Sequence, residues 1–311
     1  MTTGERRLSS APYSSPGFSP FNLILAGAIL ASLLLSAWGT GFSPGAFLSP
    51  GTGRAVREFA VGLFPPNLDP AYLRSTLGYA LETVEISLLG TALAVVVGFP
   101  LSLLAARRRG EETSRRAQGT LSWGVRWLLY YLTRGLLNVL RGIPELVWAL
   151  IFVVAVGLGP LPGVLALAAH SAGILGKLYA ELFEAVDQRL VENARAAGAN
   201  DVQVLAYVQV PTALPMLLSY TLFRWECNMR AATVLGFVGA GGIGTQLIYK
   251  LKLFQYQDLS TLILITLLLV TLVDLTGQLI RTRLLDTAAR RHQRGKRRGV
   301  VDRVLCACGW K

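Results

Sequence analysis

Apolar positions along this chain gather into six long stretches, separated by polar, basic or glycine- and proline-rich breaks. They run about Phe21–Trp38, Gly78–Ala106, Leu136–Val156, Gly163–Val186, Pro215–Val238 and Leu259–Ile280. Each is close to the roughly 18 to 20 apolar residues that an α-helix needs to cross a bilayer. The pattern predicts an all-α, polytopic membrane protein with six transmembrane helices. The first stretch follows Arg6 and Arg7 and has the outline of a signal peptide. It is long for such a core, and no small-x-small cleavage site follows, so it reads as a retained span.

The breaks carry their own predictions. Residues 39–75 are rich in Gly and Pro and read as an outside loop with one surface helix near Gly53–Leu63. Trp123–Arg141 sets Arg126, Arg134 and Arg141 among Trp, Leu and Tyr, the pattern of an interfacial helix leading into the third span. Gly142-Ile143-Pro144-Glu145 predicts a kink there, because proline removes a ladder donor. Gly157 to Pro162 is a tight outside turn. Small residues in the fourth stretch (Ala166, Ala168, Ala169, Ser171, Ala172, Gly173, Gly176) predict close helix packing.

Composition fits this reading. Of 311 residues, 52% are hydrophobic and only 15% charged, against about 25% charged in a soluble domain. The net charge of +12 is not spread evenly. Arg107-Arg108-Arg109, Arg115, Arg116 and Arg126 follow the second stretch, and ten Lys or Arg residues lie between Arg281 and Lys311. Basic clusters beside span ends mark the cytoplasmic side, so both termini are expected there. The run Arg290–Arg298 then suits anionic lipid headgroups, and nucleic acid is not an expected partner. Cys306-Ala-Cys308 has no histidine in a metal-ligand pattern and reads as incidental thiols; no metal site is expected.

The polar island at Glu192–Pro215 is the most distinctive break. Glu192-Asn-Ala194-Arg-Ala-Ala197 favours a short helix. Gly198 permits a left-handed turn, and Asp201 is a good cap for a second helix. That helix, Asp201–Val210, is expected to end at Pro211 and Pro215. A helix–glycine–helix knuckle between two spans is a rigid protrusion suited to a partner.

Charges within the spans are the other candidates. Arg224, Glu226 and Arg230 lie in the fifth stretch, where an ionisable group is a functional candidate by default. Glu226 precedes Arg230 by four residues, the favourable order for a helical ion pair. That pair either braces the packing or leaves an arginine to draw an anion along the pathway. His170 lies mid-span and is better read as a packed, hydrogen-bonded group than as a proton relay. Gly239-Ala-Gly241-Gly242-Ile-Gly244 lacks the strand–turn–helix context of a phosphate loop. It is read as a flexible outward gate or a buried re-entrant turn.

The knuckle also carries a family resemblance. Glu192-Asn193-Ala194, Gly198 and Val208-Gln-Val210-Pro211 reproduce the spacing of the EAA motif in permeases of binding-protein-dependent ABC importers, with Asn193, Val208 and Val210 replacing the usual residues. Leu140-Arg141-Gly-Ile-Pro144-Glu145-Leu-Val-Trp148 and the run from Phe223 to Gly244, including Asn228, resemble the phosphonate and phosphite permeases.

This resemblance implies a type I importer permease fold over about residues 76–285. A cytoplasmic tail (1–20), an additional helix with a periplasmic loop (21–75) and a basic tail (286–311) flank it. Residues 190–211 would be the coupling helix, seating Glu192, Ala194, Ala197, Gly198, Asp201 and Pro211 in a groove on a separate ATPase. Arg224, Glu226, Asn228, Arg230 and Glu145 would line the substrate pathway, and Gly239, Gly241, Gly242 and Gly244 the outer gate.

The implied function is alternating-access import of phosphonates or phosphite across the bacterial inner membrane. The chain itself would hold no cofactor; ATP and Mg would belong to two partner ATPase subunits. A second copy would complete a homodimer. A periplasmic or lipid-tethered binding protein would dock outside, near Arg54, Arg57, Lys250 and Lys252. Another small solute is the alternative within the family. An intramembrane enzyme is a more distant alternative, for which Asp274 and His170 are isolated candidates without a His-Glu-x-x-His motif. Gly198→Pro is predicted to uncouple uptake from ATP hydrolysis while the protein still inserts; normal ATP-driven uptake by the variant would refute the coupling role.

Overall fold

A computed structural model of the protein describes residues 20–42, 45, 49–106 and 120–307. The expectations for residues 1–19, for the arginines at 107–109, 115 and 116, and for Cys308 lie outside these residues. The described residues are helical, in two compact units divided between Val61 and Gly62. The first contains α1 (Pro20–Gly39), an apolar helix with no buried residue, and α2 (Pro50–Gly62), on which Arg54 and Arg57 are exposed.

The second unit holds α3 (Pro70–Ala105), α4 (Thr120–Gly142), α5 (Glu145–Val156), α6 (Pro160–Glu184), α7 (Gln188–Ala196), α8 (Asp201–Val204), α9 (Val210–Leu235), α10 (Gly242–Lys252) and α11 (Tyr256–Ala307). Five helical runs among the described residues are long and apolar enough to cross a bilayer. They are α1, α3, α6, the continuous α8–α9 run and α11. A sixth arises if α4 and α5 act as one broken span.

Helix α6 is the centre, with 61% of its most apolar window buried. Its glycines let neighbouring backbones approach. A Cβ at Gly173 would lie 2.6 Å from the Arg141 backbone nitrogen, and one at Gly176 would lie 3.2 Å from the Gly98 carbonyl oxygen. Without a strong hydrophobic force between helices in lipid, such close contact supplies the association energy. One core cluster joins Ile86, Leu167, Ala149 and Leu235. Another joins Ala94, Leu175, Tyr179, Phe183 and Leu217, with Phe99 edge-on to Tyr179 and Phe183.

Three elements differ from the expectations. The kink in the third span is a 90° break between α4 and α5. Ile143 precedes a proline and so avoids helical dihedrals, and Pro144 itself is extended at φ −56°, ψ 146°. The second knuckle helix does not stop at Pro211 or Pro215. Leu205–Gln209 forms a π turn, and the helix continues as α9. The wider turn lies just where the Pro211 ring and missing N–H would disturb regular spacing. Finally, α11 stays helical beyond Ile280 to Ala307.

Gly173→Ala is predicted to destabilise the protein by about 1–3 kcal/mol, because the methyl group meets backbone that cannot move aside. Gly78→Ala on α3 meets nothing within 4 Å and is predicted to be neutral or stabilising by roughly 0.5–1 kcal/mol. Thermal unfolding in detergent compares the two; equal midpoints would contradict the packing account.

Candidate functional site: the knuckle and a polar chain across the spans

The knuckle is built from local capping. The Asp187 side chain accepts the Arg189 N–H at 3.0 Å and starts α7. At its end, the Gly198 N–H donates to the Arg195 carbonyl at 2.9 Å and the Ala199 N–H to the Ala194 carbonyl at 3.0 Å. This is the paired closure that a left-handed residue allows. Gly198 has φ +88° and open space around it, so the dihedral alone requires glycine. Asn200, not Asp201, caps α8, exchanging hydrogen bonds with Gln203 at 2.9 Å each way. Asp201 instead pairs with Arg195 at 3.2 Å, linking the two helices.

Val186, Val191 and Val204 are buried beneath the knuckle, with Ala194 partly buried beside them. Glu192, Ala197, Gly198 and Asp201 are exposed on the knuckle, and Pro211 is exposed at the start of α9. Five of the six residues expected at the coupling surface are thus exposed, and Ala194 is partly buried.

A second constellation joins four helices at the middle of the unit. On α6, the Ser171 hydroxyl donates to the Asn228 side-chain oxygen at 2.9 Å. Asn228, fully buried on α9, donates to Thr91 Oγ1 of α3 at 2.9 Å. The Thr91 hydroxyl in turn donates to the Ser87 carbonyl at 2.7 Å. Arg224 Nε donates to Ser171 Oγ at 2.9 Å, and its terminal nitrogens make no hydrogen bond among the described residues. Glu145, first residue of α5, lies 3.3 Å from His170 Nε2. The Ile143 carbonyl, freed by the break, lies 2.9 Å from His170 Nδ1, and the Leu140 carbonyl accepts from Trp148 Nε1 at 3.1 Å.

The expected Glu226–Arg230 pair is not formed. Glu226 is buried and pairs with Arg281 of α11, while Arg230 lies 3.5 Å from Asp274. Four residues along α9 do place Glu226 and Arg230 on adjoining turns, but α11 supplies a closer partner to each. Gly277 makes room, since a Cβ there would overlap the Glu226 carboxylate. Asp274 stands out in the sequence only as an isolated in-span carboxylate and Ser171 only as a small packing residue, and Thr91 and Arg281 not at all as members of the site, because their partners depend on which helix packs opposite.

The glycine segment forms a packed turn. Gly242 and Gly244 are buried, while Gly239 and Gly241 are partly buried. Gly239, Gly241 and Gly242 have φ of +87°, +80° and +71°. Thr245 Oγ1 donates to the Gly236 and Gly241 carbonyls, at 3.0 and 3.1 Å, and the Ile243 N–H to Thr83 Oγ1 at 2.9 Å. Nearby Lys250 is held by Asp258 at 2.7 Å and Gln255 at 2.8 Å. Of the two lysines expected near the docking face, Lys250 is thus paired within the chain and Lys252 is exposed.

Residues 119–286 match the family described as the binding-protein-dependent transport system inner membrane component. A phosphite transport system permease protein, PtxC of Stutzerimonas stutzeri, is 39% identical over 81% of this chain and 86% of its own length. A phosphate-import permease, PhnE of Mycolicibacterium smegmatis strain ATCC 700084 / mc(2)155, is 34% identical over 81% of this chain and 44% of its own. The fold is that of an inward-facing MetNI methionine ABC transporter chain, with TM-score 0.56 and 22% identity over 70% of this chain and 99% of that one.

The chain belongs to the binding-protein-dependent transport system inner membrane components. It is a multi-pass permease subunit of an ABC importer, working with a separate ATPase and a substrate-binding protein.

Arg281→Ala is predicted to cost about 3 kcal/mol by stranding the buried Glu226 carboxylate. Replacing both partners by leucine is predicted to recover most of that loss. Unfolding of single and double variants in detergent measures the coupling, and strictly additive losses would show that the pair does not brace α9 on α11.

Proposed function

We propose that the chain is the permease of an importer for phosphite and related phosphonate anions. The carrying observation is the phosphite permease relative, whose similarity spans 81% of this chain. Arg224 supplies a chemical reason. A guanidinium held by Ser171 between α6 and α9 presents planar donors suited to a tetrahedral oxyanion. Arg230, on the same helix, is half exposed and paired with Asp274 of α11 at 3.5 Å.

In this reading the knuckle, both termini and the arginines at 107–116 face the cytoplasm, following the distribution of basic residues. Two ATPase subunits hold ATP and Mg and grip the surface around Glu192, Ala197, Gly198 and Asp201. A second copy of the chain completes the pathway, and a periplasmic or lipid-tethered binding protein delivers the anion to the opposite face. The turn at Gly239–Gly244 gates that face as a rigid element against α3.

Co-expression with the ATPase and binding protein, followed by uptake into vesicles, tests the assignment. ATP-dependent accumulation of phosphite or methylphosphonate is expected. Arg224→Ala is expected to lower it at least about tenfold, the scale of one lost charge-assisted contact. Uptake of neither anion would refute the substrate class. Differently tagged copies that fail to co-purify would replace the homodimer with a pair of unlike permeases.

A further inference from the structure

His170 has an acceptor on each side. A carbonyl oxygen only accepts, so at 2.9 Å from Ile143 the Nδ1 atom must carry a proton. Its other nitrogen lies 3.3 Å from Glu145 Oε2. A neutral Nε2 and an ionised carboxylate would then oppose lone pair to lone pair, unless one further proton lies between them. With that proton the pair is neutral overall, as imidazolium–carboxylate or as imidazole–carboxylic acid. Without it the pair carries one negative charge.

Arg224 is the cation bonded next to this pair: its Nε donates at 2.9 Å to the hydroxyl of Ser171, the residue that follows His170 on α6. The other charges on α9 are paired with α11, Glu226 with Arg281 and Arg230 with Asp274, and Cys227 also neighbours Arg224. From α3, Ser87 and Thr91 do not titrate, while of its carboxylates Glu82 lies by Gly241 and Glu85 is exposed. From α4, Arg141 is exposed and bonded to Asn138. On α6 itself, Lys177 pairs with Glu181. With those charges paired off, the proton between Glu145 and His170 is the variable charge on the α6 side of Arg224.

We propose that Arg224, His170 and Glu145 form an oxyanion site within the permease, switched by that shared proton. This rests on the anion-import reading above. With the proton bound, the site carries one positive charge and takes the anion on the Arg224 terminal nitrogens. As pH rises and the proton leaves to water, the pair's negative charge cancels Arg224 and the anion is released. The coupling is reciprocal, so a bound anion must hold the proton more tightly.

Because His170 and His292 are the chain's two histidines, a His292→Asn variant carrying nitrogen-15 histidine reports His170 alone. The test follows its titration by NMR in lipid nanodiscs, with and without saturating sulfate, phosphite or methylphosphonate. Sulfate keeps its charge across the titration and so isolates the protein's proton. The expected result is an upward shift of the midpoint by about one pH unit with sulfate, equivalent to about tenfold in affinity between the two protonation states. Arg224→Gln is expected to abolish the shift, and Glu145→Gln to remove the shared titration step.

An unchanged midpoint with every anion, or a shift that survives Arg224→Gln, would overturn the proposal. The comparison without a site variant remains decisive even if Arg224→Gln does not fold. Sulfate shifting the midpoint while the assembled importer takes up no phosphorus anion would retain the site and refute the substrate reading. Phosphite uptake with no anion-linked shift would do the reverse.

Discussion

Inside an apolar span, every backbone carbonyl that leaves its helix must find a donor in the protein, because lipid offers none. The break at Ile143–Pro144 opens two such carbonyls. Trp148 satisfies Leu140, and His170 satisfies Ile143. That requirement places a histidine at the core of α6, orients its ring, and turns Nε2 toward Glu145. The polar site is thus a consequence of how the chain bends, and its chemistry begins with a backbone obligation.

Close packing makes the bend possible. With Gly173 against α4 and Gly98 against Ala172, α6 lies near enough to both neighbours for short side chains to bridge them. The bridge from Arg224 through Ser171 and Asn228 to Thr91 uses only short links, each 2.9 Å. Larger residues at those glycines would hold the helices apart and leave the same polar atoms unpaired, a cost of about 1–3 kcal/mol for each buried group. The ion pairs of Glu226 and Arg230 with α11 extend the same principle to the other side of α9.

Movement at the knuckle has a direct mechanical route to these spans. Its first helix begins at Asp187, just beyond the end of α6, where Glu184 is held to Arg134 of α4 at 2.7 Å. Arg134 also donates to the Ala105 carbonyl at the end of α3, at 3.1 Å. Its second helix runs through the π turn into α9 without interruption. A partner pressing on the exposed face near Gly198 would therefore load α6 and α9, the two helices that hold His170 and Arg224.

Much of this was legible in sequence. Hydrophobic runs located the spans, and glycine at position 198 located the turn, because both follow from local chain properties. Pro144 marked the break, though not its 90° size, since a proline states where regular hydrogen bonding fails and not where the next helix can pack. Pro211 misled for a related reason: a π turn just before it absorbs the disturbance. Glu226 and Arg230 matched a local pairing rule, but Arg281 and Asp274, far along the chain, took them as partners. The order of residues alone determined the helices, their apolar faces and the positions able to turn. Tertiary packing decided which buried charges meet, because ion pairs and hydrogen bonds act over a few ångströms of space, and only the folded chain sets those distances.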